Sequence, residues 1–290
     1  MSISQMISDN ELLVKLLIAV AIFAIILYLI WRRNVGWKKA RIDRQWVDDC
    51  AELPRFEMGQ DGRSFTIHNL RDFTWRTTKD KDIHWETFSA SIDELVDIWF
   101  VLDHFHSFRG MAHTMLTFEF TENRFITASF EARREVGERY HPWTGMWREF
   151  ELYLVWGTER DLIGLRTNGR GNDVFLYPTV VEPHKRVGML ERMILRTNQL
   201  AENPEFYNTL TKTCTTAIIK EINTVTPGRV PLSWRALLPG HIDVLAHRRG
   251  MLADKGGFTA TKDAAAITEK AVDAGLGKRQ SSEFSLALRQ

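Results

Sequence analysis

The sequence contains few of the residues that build metal or disulfide frameworks. It has only two cysteines, Cys50 and Cys214, in 290 residues. They are too few for a disulfide framework and too far apart in sequence for a compact metal knuckle. An HExxH motif, a glycine-rich phosphate-binding loop and a cysteine pair at metal-ligand spacing are all missing from the sequence. We therefore expect an activity that needs no cofactor and no metal.

An excess of one charge sign is also missing. The 38 basic and 37 acidic residues give a formal charge of +1, which leaves no global positive field to attract a nucleic-acid backbone. We expect no nucleic-acid partner, and the sequence leaves the oligomeric state open. The chain of 290 residues is long enough for one large domain or two small ones. Its 44% of hydrophobic residues excludes a disordered chain.

One long apolar run is present, from Leu12 to Trp31, and only Lys15 interrupts it. Twenty helical residues span about 30 Å, the thickness of the bilayer hydrocarbon. A cleaved signal peptide is the alternative. The run is longer than a signal-peptide core, however, and Arg32 and Arg33 follow it as at a membrane interface. We predict a retained single-pass anchor.

The charges that flank the apolar run favour one orientation. Asp9 and Glu11 precede the run, whereas six basic residues follow it within residues 32–44. The positive-inside rule would place the large C-terminal part in the cytoplasm.

Beyond the anchor, strand patterns precede helix patterns. Alternating runs predict strands near residues 64–70, 83–90 and 150–156, and residues 98–102 fit a buried strand or the end of a helix. Residues 115–131 predict a hairpin around the turn-prone TENR, and residues 184–202 predict a helix. This order favours an α+β fold over a doubly wound sheet. The Ala-, Lys- and Gly-rich tail predicts an exposed helical arm.

These patterns divide the chain into five parts. The predicted division is an N-terminal flank at 1–11, a transmembrane anchor at 12–32, a basic juxtamembrane linker at 33–50, a globular domain at 51–253 and a C-terminal arm at 254–290.

Cys214 stands at the start of a predicted helix. The run TLTKTCTTAIIKEINTV is amphipathic at helical spacing. Either Thr211 or Thr213 can cap this helix, which places Cys214 in its first turn. There the helix dipole and the backbone N–H groups favour a thiolate and can bind a developing oxyanion. A structural cysteine within the apolar stripe is the alternative.

Among the nine histidines, His113 is the candidate base. It opens the strand HTMLTFEF after the flexible Gly110-Met111-Ala112, so its ring can project from a strand end. A structural histidine is the alternative. His104 and His106 lack a third metal ligand nearby, and a role at a strand end or in a loop is favoured for them. The remaining histidines occupy polar or loop contexts: His68, His84, His141, His184, His241 and His247.

Glu131 is the acidic residue that the predicted hairpin brings nearest to His113. Glu119 shares the face of His113 but lies about 20 Å away along the strand. A two-residue turn at 122–123 places His113 opposite Ala132, with Glu131 one position away. A bulge or a slipped register would bring the carboxylate alongside the ring. An exposed surface charge is the alternative.

At these residues the sequence resembles the Lnb N-terminal periplasmic domain family, whose members include bacterial lipoprotein N-acyltransferases. The resemblance covers about residues 45–250. The matching stretches are CAELPRF, TIHNLRDFTWRT, WET, MAHTMLTFEF, FEARREVGERY, ELYLVWGTERDLIGLRTN, DVFLYP, NPEFYNTLTKTCTT and RALLPG.

The resemblance implies a permuted papain-like thiol fold, in which the histidine strand precedes the cysteine helix. Cys214 matches the family's nucleophile in the CTT segment, His113 matches the base in the AHT motif, and Glu131 matches the acidic residue of an ETRRE-like motif. This chain departs from the family's pattern in having one span instead of an extended membrane part, and in its C-terminal tail. The resemblance also implies a periplasmic domain on an inner-membrane anchor, against the charge bias.

The expected activity is thioester-mediated acyl transfer, with membrane lipid and lipidated protein as substrates. Arg133 and Arg134 are candidate contacts for phosphate headgroups, although a solvated basic face explains them equally well. Trp143 and Trp147 are candidates for a lip that touches lipid, with core packing as the alternative. Two other functions stay open: a cell-envelope cysteine amidase or peptidase, and a non-catalytic envelope scaffold.

Overall fold

The structure is a computed structural model of the chain that describes residues 3–231, 233–277 and 281–290. It divides into two compact units, Met1–Ala40 and Arg41–Gln290.

The first unit is one long helix, α1 (Ile3–Trp31), followed by a π-helical turn at Arg32–Gly36. Within it, Glu11–Gly36 is long and apolar enough to cross a membrane, and none of this segment is buried inside protein. Residues 3–31 contain no proline or glycine, which favours an uninterrupted helix here.

The second unit contains the strands and the remaining helices. The strands are β1 (Arg55–Met58), β2 (Ser64–Arg71), β3 (Thr74–Trp75), β4 (Lys81–Asp82), β5 (Trp85–Ser91), β6 (Leu95–His104), β7 (His113–Phe120), β8 (Arg124–Arg133), β9 (Glu151–Gly157), β10 (Asp173–Pro178) and β11 (Glu205–Phe206). The helices are α2 (Glu159–Gly164), α3 (Pro183–Glu202), α4 (Cys214–Val225), α5 (Trp234–Leu237), α6 (Ile242–Arg248), α7 (Phe258–Ala265), α8 (Thr268–Ala274) and α9 (Ser281–Ala287).

Nine of the described strands form one mixed sheet. Its main path runs β1-β2-β9-β8-β7-β6-β10, with β5 paired to β2 and β11 paired to β9. The pairs are antiparallel except that β2 and β9 meet in parallel at Arg71 and Gly157. The predicted α+β class is confirmed at this level, and residues 98–102 lie in a strand, not at the end of a helix.

The sheet is covered on both faces. On one face, α3 and α4 pack with strand side chains such as Phe118, Phe130 and Trp156. On the other face, α2, α8 and α9 pack against Met115 and Val155. Every residue of β9 is buried, as expected for a central strand between two helical layers.

The β7–β8 hairpin differs from the predicted two-residue turn. A three-residue turn at Thr121–Asn123 joins the strands, and Glu122 and Asn123 adopt left-handed backbone angles there. Phe120 therefore pairs with Arg124, and Leu116 pairs with Ala128. The extra turn residue shifts the register by one position, so that Glu131, not Ala132, lies in line with His113.

The predicted juxtamembrane linker at 33–50 ends earlier than expected. Residues 41–50 belong to the second unit, because Trp46 bridges to Glu135 and the backbone of Arg41 donates to Glu151. The globular part thus begins at residue 41 and not at residue 51.

The predicted exposed C-terminal arm is also corrected. The segment is helical, but Ile267, Ala271, Phe284 and Leu288 are buried in the core beneath the sheet. These apolar residues are spaced so that they reach that core, whereas Val272 and Leu286 stay exposed. A composition rich in Ala, Lys and Gly does not reveal this burial.

Candidate active site

Helix α4 holds Cys214 at its first position. Thr213 is the N-cap, and its side chain and that of Thr216 bind each other's backbone N–H groups in a capping box. The predicted choice between Thr211 and Thr213 is thereby settled for Thr213. The side chain of Cys214 is 7% exposed, and it lies at the end of the helix where the dipole is positive.

An opening between β7 and β8 gives His113 its position. The two strands pair only over residues 116–120 and 124–128. Beyond that, β7 stays with β6 as far as His113, and β8 stays with β9 as far as Arg133. The first turn of α4 meets the freed start of β7, where the hydroxyls of Thr114 and Thr215 lie 3.0 Å apart.

The imidazole of His113 is held by a polar chain from β8. Its Nε2 lies 2.6 Å from the Ser129 hydroxyl and 3.1 Å from a carboxylate oxygen of Glu131. The Ser129 hydroxyl donates to the same oxygen of Glu131 at 2.8 Å. Because the Ser129 hydroxyl donates its only proton to Glu131, it acts as the acceptor of the hydrogen bond from His113 Nε2–H. Because β8 engages Nε2, Nδ1 is the ring nitrogen left to hydrogen-bond with Cys214.

A buried arginine anchors the far end of this chain. Arg166 donates to Glu131 at 2.7 Å and to the carbonyl of Leu162 at 2.7 Å. It also forms an ion pair with Asp103 at 3.2 Å. One oxygen of Glu131 is consequently held by hydrogen bonds from Ser129 and Arg166 and by the ion pair with His113, which fixes the carboxylate beside the histidine ring.

The electrostatics of the pair favour an ionised thiol. Burial alone would raise the pKa of Cys214, but the charge of His113 and hydrogen bonds from the ring, the backbone of Thr114 and the hydroxyl of Thr215 lower that pKa to about 7. Burial alone would lower the pKa of His113, whereas Glu131 and Cys214 raise it to about 10. A thiolate and an imidazolium therefore coexist between these pKa values.

Glu131 supplies the negative charge behind the ring. Burial opposes its ionisation, but the charge and hydrogen bond of His113, together with Arg166 and Ser129, hold the pKa of this carboxyl well below its usual range. The carboxylate is thus ionised at neutral pH and stabilises the imidazolium.

The three side chains open on one cavity of about 330 Å³. Tyr140 and Tyr207 also line it, with their hydroxyls 3.1 Å apart. A thiol at the start of a helix, with a histidine beside it and an open volume in front of it, is arranged for nucleophilic attack on a carbonyl carbon.

The structure corrects the headgroup prediction for Arg133. Its guanidinium is buried, donates to the carbonyls of Cys50 and Ala51, and lies 4.0 Å from the ring centroid of Trp46. Strand alternation points this side chain inward, where it ties residues 46–51 to the sheet. The neighbouring Arg134 does line the cavity and pairs with Asp49 at 2.8 Å.

Trp143 and Trp147 pack on each other edge to face, with ring centroids 5.5 Å apart. Trp143 is 60% exposed and Trp147 is 37% exposed, so neither is a core residue. They lie outside the residues that line the cavity.

The second cysteine and the paired histidines are not part of this constellation. Cys50 is buried, and burial raises its pKa to about 11. His104 is buried with its ring edge against Phe175, and His106 accepts from the backbone of Phe108. Among the described residues there is no group of three acidic, histidine or cysteine side chains that could hold a metal ion.

Sequence reasoning missed Ser129 and Arg166. Ser129 lies two residues before Glu131 on the same strand face, a spacing that becomes informative only once the register is known. Arg166 lies in the π-helical turn Leu165–Gly169 that follows α2. No motif in the sequence indicates that a residue of this turn contacts Glu131.

Comparison with known proteins gives a family for the chain. No curated protein and no solved structure matches it. The family model of the Lnb N-terminal periplasmic domain matches residues 81–240, more than half of the 290 residues, and the match includes Glu131, His113 and Cys214. A periplasmic domain family and one candidate membrane span are consistent with a single-pass membrane protein whose globular part is periplasmic. The chain belongs to the Lnb N-terminal periplasmic domain family.

Proposed function

We propose that this protein is a membrane-anchored, cysteine-dependent acyltransferase with a permuted papain-like thiol fold. It acts on lipid or lipoprotein acyl groups through a thioester on Cys214. The observation that carries the proposal is the placement of Cys214 at the start of α4, in hydrogen-bond contact with a histidine that Ser129 and Glu131 hold in position. The order of His113 before Cys214 in the chain supports the permuted arrangement.

Acylation of the enzyme begins with the thiolate–imidazolium pair. The Cys214 sulfur attacks the carbonyl carbon of an acyl ester, forming a C–S bond and a tetrahedral oxyanion. The helix start leaves the N–H groups of Cys214 and Thr215 without an acceptor inside the helix, and these groups stabilise the oxyanion. The C–O bond of the ester then breaks, and the leaving alkoxide takes the proton that His113 holds.

Transfer to the acceptor reverses the roles of the two residues. An amine, such as the α-amine of a lipidated N-terminal cysteine, attacks the thioester carbon and gives its proton to His113. The C–S bond breaks, an amide forms and the thiolate returns. The negative charge of Glu131 stabilises the imidazolium in both half-reactions.

The membrane anchor supports a lipid substrate. A thiol tethered to the bilayer meets acyl chains at a higher effective concentration than a free domain would. Arg134, at the cavity wall, is suited to contact a phosphate headgroup.

The test is to trap the acyl-enzyme. We would incubate the full chain in liposomes that contain phospholipid and a diacylated lipopeptide, quench with acid, and analyse the Cys214 peptide by mass spectrometry. A fatty-acyl adduct that hydroxylamine removes is expected, with none in Cys214→Ala and an unchanged adduct in Cys50→Ala.

Other outcomes of the same experiment are equally informative. A peptidyl adduct on Cys214 would instead assign an amidase or peptidase. Formation of N-acylated lipopeptide by Cys214→Ala would refute the thioester route altogether.

A further inference from the structure

A second cavity, of about 230 Å³, lies beside α4. It is enclosed by apolar side chains from β6, β7, α3, α4 and α6. Representative members are Phe100, Leu116, Met189, Ile218, Ile222 and Leu245. Protein interiors are close-packed, and large apolar voids stay dry or take up an apolar ligand. The size and lining of this cavity are therefore suited to an apolar ligand.

The cavity follows the length of α4. Thr215, in the first turn, and Val225, at the last position, both line it. A helical rise of 1.5 Å per residue separates these two residues by about 15 Å. The shape along the helix is thus long in one direction, which suits a single extended hydrocarbon chain.

One end of the cavity is closed by a pair of buried hydroxyls. Thr114 and Thr215 hydrogen-bond to each other at 3.0 Å and are almost fully buried. Each directly follows a residue of the candidate active site, since His113 and Cys214 line the first cavity while Thr114 and Thr215 line the second. The hydroxyl pair thereby forms a wall between the two cavities.

The other end carries positive charge. Lys185 and Arg229 line it together with Glu182, whose side chain is largely exposed. Lys185 pairs with Glu182 at 2.8 Å, and Arg229 donates to the carbonyl of Gly250. Lys185 and Arg229 outnumber the single carboxylate of Glu182, so this end of the cavity, which we call its mouth, carries a net positive charge.

We propose that this cavity binds one acyl chain of an anionic, single-chain amphiphile. The carboxylate or phosphate lies between Lys185 and Arg229, and the methyl end of the chain reaches the Thr114–Thr215 wall. The charge of the mouth and the apolar interior fix this direction, because the reverse would bury the anionic head among apolar side chains. The site does not include the sulfur of Cys214, so it does not depend on the proposed acyl transfer.

Photocrosslinking tests the site and the direction of the chain. The full chain in phosphatidylcholine nanodiscs is irradiated with dodecanoate carrying a diazirine either at its methyl end or next to its carboxylate. We expect the methyl-end probe to label the peptides that contain Thr114 or Thr215. The carboxylate-end probe should label those that contain Lys185 or Arg229.

Competition identifies the source of the anionic head. Excess unlabelled dodecanoate and excess lysophosphatidylglycerol are each added before irradiation. Stronger protection by dodecanoate assigns a free fatty acid, and stronger protection by lysophosphatidylglycerol assigns a lipid headgroup. Equal protection by dodecyltrimethylammonium would overturn the proposal, because an anionic head would then play no part in binding. Protection by none of the three amphiphiles would also overturn it, because the labelling would then not report a specific site.

Variants separate this site from the proposed catalytic function. K185Q/R229Q should lose most of the labelling, whereas the matched surface change R248Q/R249Q should retain it. Ile222→Trp should fill the cavity and abolish labelling. If the Ile222→Trp protein does not fold, the loss of labelling in K185Q/R229Q remains the test of the site. Cys214→Ala should label as strongly as the unaltered chain. Labelling confined to α1, or unchanged in K185Q/R229Q, would refute the site.

Discussion

At the scale of single residues, one carboxylate oxygen organises the candidate site. Ser129, Arg166 and His113 all contact the same oxygen of Glu131. The carboxylate does not reach Cys214 itself, so Glu131 is a positioning residue that acts through the charge and tautomer of His113. Removal of the Glu131 charge should therefore change the pH dependence of Cys214 ionisation more than it changes the fold.

Glu131→Gln should move the ionisation of Cys214 to higher pH. The amide keeps a hydrogen-bonding oxygen but removes the charge that raises the pKa of His113, so the imidazolium is a weaker partner for the thiolate. At pH 7 the iodoacetamide reaction of Cys214 should slow by about threefold or more.

The matched control for this prediction is Glu122→Gln in the exposed hairpin turn. It should leave the pH profile of alkylation unchanged. Equal profiles for Glu131→Gln and the unaltered chain would show that Glu131 has no electrostatic role at the site.

The sequence predicts the positions of Cys214 at the start of a helix and of His113 at the start of a strand, because both carry local signals. A threonine cap before an amphipathic run marks the start of α4, and a glycine-containing loop before an alternating run marks the start of β7. Glu131 could be predicted only through a slipped register. Ser129 and Arg166 could not be predicted, because their roles depend on how non-adjacent elements meet in space.

At the scale of elements, two local features bring the pair together. The left-handed backbone at Glu122 and Asn123 adds a residue to the hairpin turn and aligns Glu131 with His113. The capping box of α4 then fixes where the helix begins, and hence where the sulfur lies.

Thr213→Ala should destabilise the start of α4. The substitution removes the acceptor for the Thr216 N–H and should cost about 1 kcal/mol in the free energy of unfolding. It should also slow the alkylation of Cys214, since fraying of the first turn weakens the orientation of the thiol. Denaturant unfolding and alkylation rates measure the two effects.

Thr213→Ser is the control for the cap, because serine retains the hydroxyl. It should behave like the unaltered chain in both assays. If Thr213→Ala left both quantities unchanged, the cap would have no part in positioning the nucleophile.

At the scale of the whole molecule, the C-terminal segment completes the hydrophobic core of the second unit. Composition predicts an exposed arm, but α8 and α9 complete the core beneath the sheet, and Arg289 forms a bidentate pair with the fully buried Glu159. Tertiary contacts of this kind decide burial, and a sequence with few large apolar residues does not reveal them.

Phe284→Ala should therefore destabilise the second unit strongly. Phe284 is 0% exposed, and replacing a buried phenylalanine by alanine costs about 3 to 5 kcal/mol. The neighbouring Leu286 is 37% exposed, and Leu286→Ala should cost much less. Similar unfolding midpoints for the two variants would contradict the burial of this segment.

The orientation of the chain in the membrane is open to direct measurement. A periplasmic domain requires the basic residues after the span to lie outside, against the positive-inside rule. Alkaline phosphatase fused after Gln290 should be active, because that enzyme folds only in an oxidising compartment. An inactive fusion paired with a fluorescent cytoplasmic reporter at the same point would place the domain in the cytoplasm.

The pH dependence of Cys214 alkylation tests the central claim most directly. In a Cys50→Ala background, the iodoacetamide rate should rise to half its maximum near pH 7, the pKa that His113 confers on the buried thiol. In the matching His113→Ala variant, the midpoint should rise above the ordinary thiol pKa of about 8.5, because burial remains and the positive partner is gone. A Cys214 that is inert at all pH values, or one whose midpoint is the same with and without His113, would contradict a thiolate–imidazolium pair at this site.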